Sequence, residues 1–167
     1  MFQTGDQVVY GAHGVCCVVD TEVRMVDGKR LLYLVLEPAA RDGSRYLVPT
    51  HNPAAMGKLR KMLLPEEMES LMASQQVHKD SWIRDENVRK QTYRELIGSG
   101  DRASLMQMVR TLYRHKANQI AAGKKMHQCD DNFLRDAEKL LSSEVSVVMN
   151  MEFDQAKTFL REKLSRE

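Results

Sequence analysis

The stretch TEVRMVDGKRLLYLVLE, residues 21–37, decides how the first third of the chain is read. Two runs of β-branched and aliphatic residues flank Asp27-Gly28, and an Asp-Gly pair suits the positive backbone angles of a tight hairpin turn. In the second run Leu31, Tyr33 and Val35 fall on one face and Leu32, Leu34 and Leu36 on the other, which predicts a central strand buried on both sides.

Upstream, GDQVVYGAHGV at 5–15 carries a strand-like VVY straight into a loop with two glycines around His13. Downstream, Asp42-Gly43 separates the long strand from SRYLVP and predicts a second hairpin. Pro49 ends that run, Asn52-Pro53 can start a short helical turn, and GKLRKML at 57–63 offers a last strand. Five short strands in about 60 residues predict a small SH3-like or Tudor-like β-barrel over residues 1–63.

From Pro65 onward the apolar period becomes helical. Pro65 suits a first helical position, with Glu66, Glu67 and Glu69 at the positive end of the dipole and Leu64, Met68, Leu71 and Met72 as the apolar stripe. A polar stretch, QQVHKD, leads to Ser81, a candidate N-cap for a helix through Ile97 that Gly98-Ser99-Gly100 ends. Asp101 can cap the next helix, in which Leu105, Met108, Val109, Leu112 and Ile120 recur as far as Gly123. Asp130 starts a fourth, with Phe133, Ala137, Leu140, Leu141, Val145 and Val148 inside, and Phe153, Ala156, Phe159, Leu160 and Leu164 mark a fifth. The fold class is therefore α+β in two domains: the barrel, then a compact bundle of about five α-helices over 64–167.

Composition narrows the function. With 43% apolar and 29% charged residues in 167, the chain has the balance of a globular protein. Its apolar runs are too short to span a bilayer, and its first residues lack the basic start and apolar core of a signal peptide, so a cytoplasmic location without membrane contact is expected. Cys16, Cys17 and Cys129 have neither zinc spacing nor an even disulfide framework and read as buried free thiols. There is no phosphate-binding glycine loop followed by Lys-Ser/Thr, no Gly-x-Ser-x-Gly, and no obvious base placed beside a cysteine. No enzyme, cofactor or metal site is expected. The formal net charge of +2 hides an asymmetry: residues 81–125 carry ten Lys/Arg against four Asp/Glu, while 64–80 and 126–167 are acidic. Such a basic stretch is a footprint of polyanion contact or simply a solvated helix face.

Several letters in this order resemble the CarD (CdnL-like) family of bacterial RNA polymerase-binding transcription regulators. Phe2, Gly5, Asp6, Val8, Val9, Tyr10, His13 and Gly14 match its opening Phe-x-x-Gly-Asp-x-Val-Val-Tyr and the His-Gly loop. Gly28, Tyr33, Val35 and Val48-Pro49 match the rest of its N-terminal module. In the helical half, Trp82, Ser99-Gly100-Asp101, Val109, Arg110 and Leu112 carry the similarity.

The resemblance implies a barrel that docks on the β subunit of RNA polymerase and a helical domain that touches promoter DNA near the upstream edge of the minus-ten element, stabilising the open complex. Trp82 would wedge into the minor groove where base pairs unstack, and Arg84, Arg89 and Lys90 could reach phosphates. Arg24 and Val26, just before the Asp27-Gly28 turn, lie on the strand implied to face the polymerase, where an exposed edge can accept a partner strand. Relatives have a shorter stretch from the Trp to the Ser-Gly-Asp break, and here Ile83-Arg84-Asp85-Glu86 intervenes, with two carboxylates that weaken phosphate contact. Leu47 stands where relatives often place a basic residue. Gly11 and Gly14 serve the turn, with His13 a structural hydrogen-bonding residue rather than a metal ligand. A monomer is expected. The competing reading is a polymerase-tethered adaptor that touches proteins and not DNA.

Overall fold

The computed structural model describes residues 2–166; Met1 and Glu167 lie outside the described residues. The chain divides into two compact units, residues 1–62 and 63–167, each with its own apolar core. Leu63 packs with the helical core, so the sheet unit stops at Met62 and not at residue 63.

The first unit is a five-stranded antiparallel sheet of β1 (Gln7–Tyr10), β2 (Val15–Val26), β3 (Lys29–Pro38), β4 (Tyr46–Pro49) and β5 (Leu59–Lys61), in the order β4-β3-β2-β1-β5. Asp27 and Gly28 both take positive φ, 51° and 76°, and close the β2–β3 hairpin as their residue types require. Asp42-Gly43 makes no tight hairpin: β3 ends at Pro38 and β4 begins at Tyr46, with a longer loop between. Asn52 caps the single turn α1 (Pro53–Met56), its side-chain oxygen accepting from the N–H groups of Ala54 and Ala55 at 3.0 and 3.2 Å. Ala55 and Met56 then pack on the sheet core of Val8, Cys16, Val18, Leu34, Leu36, Val48 and Leu59.

The long strand departs from its predicted two-sided burial. Leu34, Val35 and Leu36 are buried, but Leu32 is 38% exposed. A bulge between Val18 and Asp20 shifts the register, and beyond it every β2 residue from Asp20 to Val26 is exposed. The apolar alternation of β3 continues past the end of the core into a projecting hairpin that no other element of this unit covers.

The second unit comprises α2 (Pro65–Met72), α3 (Gln75–His78), α4 (Glu86–Ser99), α5 (Arg102–Ala121), α6 (Gln128–Met149) and α7 (Phe153–Ser165). The polar stretch read as a linker holds α3, whose Val77 is fully buried, because Ser74 caps it through the Val77 N–H. Ser81 does not cap a helix: residues 80–84 lack regular structure, and α4 starts at Glu86, with the Asp85 carboxylate accepting from the Val88 N–H at 2.9 Å. A carboxylate at an N-cap also satisfies the helix dipole, and this favours Asp85 over the more distant hydroxyl. Gly100, at φ 69°, ends α4, and Asp101 caps α5. Ile120 is 64% exposed and lies off the α5 core stripe. Asp130 does not start α6, which begins at Gln128, but lies in its first turn, fully buried.

Candidate nucleic-acid interface

The segment that carries Trp82 is extended, and it is bound along α5 by three side chains spaced four residues apart. Gln107 donates its side-chain amide to the Lys79 carbonyl at 3.2 Å. The Thr111 hydroxyl donates to the Gln107 carbonyl, so the Ser81 hydroxyl, 2.9 Å away, donates to it. His115 stacks on Trp82, with ring centroids 3.8 Å apart and planes 15° from parallel. Four-residue spacing places all three on one face of the helix. Trp82 is half-buried, packed against the edge of the helical core.

Arg89 secures the other end of the segment. Its Nε and Nη2 donate to the two Asp130 carboxylate oxygens at 2.8 and 3.0 Å, and Nη1 donates to the carbonyls of Ile83 and Arg84 at 3.0 and 3.4 Å. Its guanidinium carbon lies 4.6 Å from the Trp82 ring centroid, within cation–π range. Arg89 is 4% exposed. The expectation that Arg89 reaches a phosphate is therefore corrected: its guanidinium is committed internally, and freeing it would leave the Asp130 charge buried and unpaired.

The other predicted residues are accessible. Arg84 is exposed beside Trp82. Lys90 is half-buried and pairs with Glu86 one turn earlier at 3.1 Å, and this ammonium holds the Glu86 carboxyl below its ordinary range. An exposed pair of this kind is weak enough to be exchanged for another anion. Arg89, Arg102 against Glu144, and Arg110, which donates to the Leu164 carbonyl at 2.6 Å, are used inside the unit, and Lys116 pairs with Asp131 at 3.3 Å. With Lys90 paired to Glu86, five of the ten basic residues in 81–125 have partners within the unit, so the basic character of the stretch is smaller than its count suggests.

On the barrel, Arg24 and Val26 share one face of the projecting hairpin, opposite Leu31 and Lys29 in the ladder. Arg24 pairs with Glu22 at 3.3 Å and lies 6.0 Å from the Tyr33 ring centroid, with half of its side chain exposed. The other face carries the exposed Val23 and Met25, with Val23 opposite Leu32.

The glycine loop around His13 is built for the turn: Gly11 and Gly14 have φ of 46° and 73°, which side-chain-bearing residues resist. His13 forms a three-ring cluster with Tyr10 and Tyr46, stacked on Tyr10 at a centroid distance of 5.3 Å and tilted against Tyr46 at 4.1 Å, so its contacts here are aromatic. Of the cysteines, Cys16 alone is fully buried, and burial pushes its thiol up to about 11; Cys17 and Cys129 are half-buried. Among the described residues no group of three His, Cys, Asp or Glu side chains is placed to hold a metal ion, and no helix is long and apolar enough to cross a membrane.

Residues 2–62 match the family model described as CarD-like/TRCF RID domain, and residues 67–161 match that of the CarD C-terminal domain. A five-stranded sheet domain of the first kind followed by a helical domain of the second defines a transcription-associated, RNA polymerase-interacting factor of a non-enzymatic class. The chain belongs to the CarD family.

His115 and Asp130 are the residues of this site that sequence reasoning missed. Asp130 carried the letter of a helix N-cap, and His115 carried no motif. Their roles come from α4, α5 and α6 meeting behind Trp82.

Proposed function

We propose that this chain binds the β subunit of RNA polymerase through the β2–β3 hairpin face that carries Arg24 and Val26, and stabilises the promoter open complex by placing Trp82 at the upstream edge of the melted minus-ten region. Arg84 and Lys90 add salt-sensitive phosphate contacts that read no sequence. The observation that carries the reading is the placement of Trp82: it lies outside any helix, half-buried, on a segment held along α5, and not in the middle of the core. An indole presented in this way can offset the cost of an unstacked base step through apolar contact. Tethering by the barrel raises the local concentration of a weak DNA contact, so binding to free duplex is weak and salt-sensitive.

The test is the lifetime of a polymerase–promoter complex challenged with competitor DNA. The wild-type chain lengthens it, and Trp82→Ala loses most of that effect while still binding polymerase. With Arg89 committed to Asp130, only Arg84 and Lys90 of the predicted phosphate ligands remain, which keeps the adaptor reading in play. Trp82→Ala acting like wild type would establish that reading in place of the first.

A further inference from the structure

We infer that His115 is the positioning residue for Trp82, a flat platform on α5 that sets the tilt and depth at which the indole is offered to DNA. This rests on the DNA-contact reading above and assigns a role to a residue outside the basic set. The three anchors along α5 differ in what they hold. Gln107 grips a backbone carbonyl and Thr111 a serine hydroxyl, so both locate the segment but leave the Trp82 side chain free to turn about its own bonds. Only His115 meets the indole face to face, at 3.8 Å and 15°. At this separation the two ring faces are in van der Waals contact, so a ring fixed on a long helix restricts the orientation of its partner.

The surroundings favour the neutral imidazole. Arg89 on α4 approaches the same indole, at 4.6 Å, and is fixed there by Asp130. The charged and titratable groups that act on His115 are Arg89 from α4 and, from α6 and its N-cap, Asp130 and His127; on its own helix the Gln119 amide lies 3.4 Å from Nε2. A protonated ring would bring a second cation to the indole that Arg89 already occupies. Burial contributes most to lowering the His115 pKa; Asp130 opposes it, and Arg89 and His127 add to the lowering.

Trp82 is the only tryptophan in the chain, so its emission reports this stack without a label. The experiment compares full-length wild type, His115→Ala and His115→Phe in two assays. In the first, acrylamide quenching and steady-state anisotropy of Trp82 are read, together with emission as pH is lowered. In the second, the polymerase–promoter complex lifetime is measured, with Trp82→Ala alongside.

His115→Ala is expected to raise the quenching constant at least two-fold, lower the anisotropy, abolish the pH-dependent step in emission, and bring the complex lifetime several-fold down towards that of Trp82→Ala. His115→Phe, which restores a flat ring but cannot titrate, should return quenching and lifetime to near wild type with no pH step. Unchanged quenching and anisotropy in both variants would overturn the inference whatever the lifetime does. Altered emission with a wild-type lifetime in His115→Ala, where Trp82→Ala is defective, would overturn it as well. A wild-type lifetime for Trp82→Ala strikes down the DNA-contact reading itself and, with it, the positioning role.

Discussion

The Arg89 guanidinium and the Asp130 carboxylate meet in parallel through two hydrogen bonds, 41 residues apart in sequence and both almost wholly buried. The pair ties α4 to α6, and the third guanidinium nitrogen holds the chain entering α4. Removing one member strands a charge in the interior, which typically costs ~3–5 kcal/mol. Arg89→Ala and Asp130→Ala should each lower unfolding stability by about that much. The double variant should be less destabilised than the sum of the two, because no lone charge remains. Urea unfolding followed by circular dichroism measures all three.

Trp82→Ala should be intermediate in stability. A fully buried aromatic truncated to alanine costs ~3–5 kcal/mol. A half-buried ring at the edge of the core should cost about half of that, ~1.5–2.5 kcal/mol by the same scale. A thermal unfolding curve indistinguishable from wild type would show that the indole contributes nothing to the bundle.

The hairpin makes the opposite prediction. Arg24 lies on a strand segment exposed from Asp20 to Val26, and its ion pair with Glu22 is a surface pair. Arg24→Glu should therefore change stability by no more than about 0.5 kcal/mol. Its affinity for an isolated polymerase β-subunit lobe should fall by reversal of charge at the interface. Titration of the lobe, with circular dichroism of the same sample, separates lost docking from a melted barrel. Unchanged affinity would remove Arg24 from the interface.

Tyr93 offers a stabilising change. Its hydroxyl is buried with no hydrogen-bond partner, and burial, the largest influence, pushes its pKa up to about 12. A buried polar atom without a partner costs ~1–3 kcal/mol. Tyr93→Phe keeps the edge-to-face packing on Phe133 while removing that atom, and its unfolding midpoint should equal or exceed that of wild type.

Stability should also fall on mild acidification. The His115 pKa is depressed in the folded chain, so its contribution is fully present above the unfolded value of about 6.5 and is lost as pH falls through the folded value. His115→Phe should flatten that part of the stability curve relative to wild type. Glu138 acts in a lower window. Burial pushes its carboxyl up, but hydrogen bonds from Arg161 and Tyr113 outweigh this and hold it below 4.5. Its contribution is present above that value and disappears as pH falls through the folded one. Urea midpoints across the two windows test both.

Local chemistry made much of the architecture legible. Asp27-Gly28, Asn52-Pro53, Gly100 and Asp101 act within a few residues of themselves, and each does in the fold what its residue type favours. The failures have a common origin in long-range partnership. Ser81 and Asp85 are both competent caps; the carboxylate suits the helix dipole, and the Ser81 hydroxyl is engaged by Thr111 from 30 residues away, a partner that local sequence does not reveal. Arg89 has the letter of a phosphate ligand, and only the arrival of Asp130 beside it converts the guanidinium into a structural tie. The exposed leucine of β3 belongs to the same group: alternation shows which residues share a face, but not where the opposing layer stops.

The tie between Arg89 and Asp130 also governs how the segment before α4 can open. Residues 80–84 have no ladder or helix of their own, a feature that ordinarily marks a quickly exchanging, protease-sensitive loop. Here the carbonyls of Ile83 and Arg84 are held by a guanidinium whose release would leave the Asp130 carboxylate buried and unpaired between α4 and α6. Opening of this stretch is therefore coupled to separation of α4 from α6, and proteolytic nicking next to the indole should follow the unfolding of the whole bundle rather than precede it.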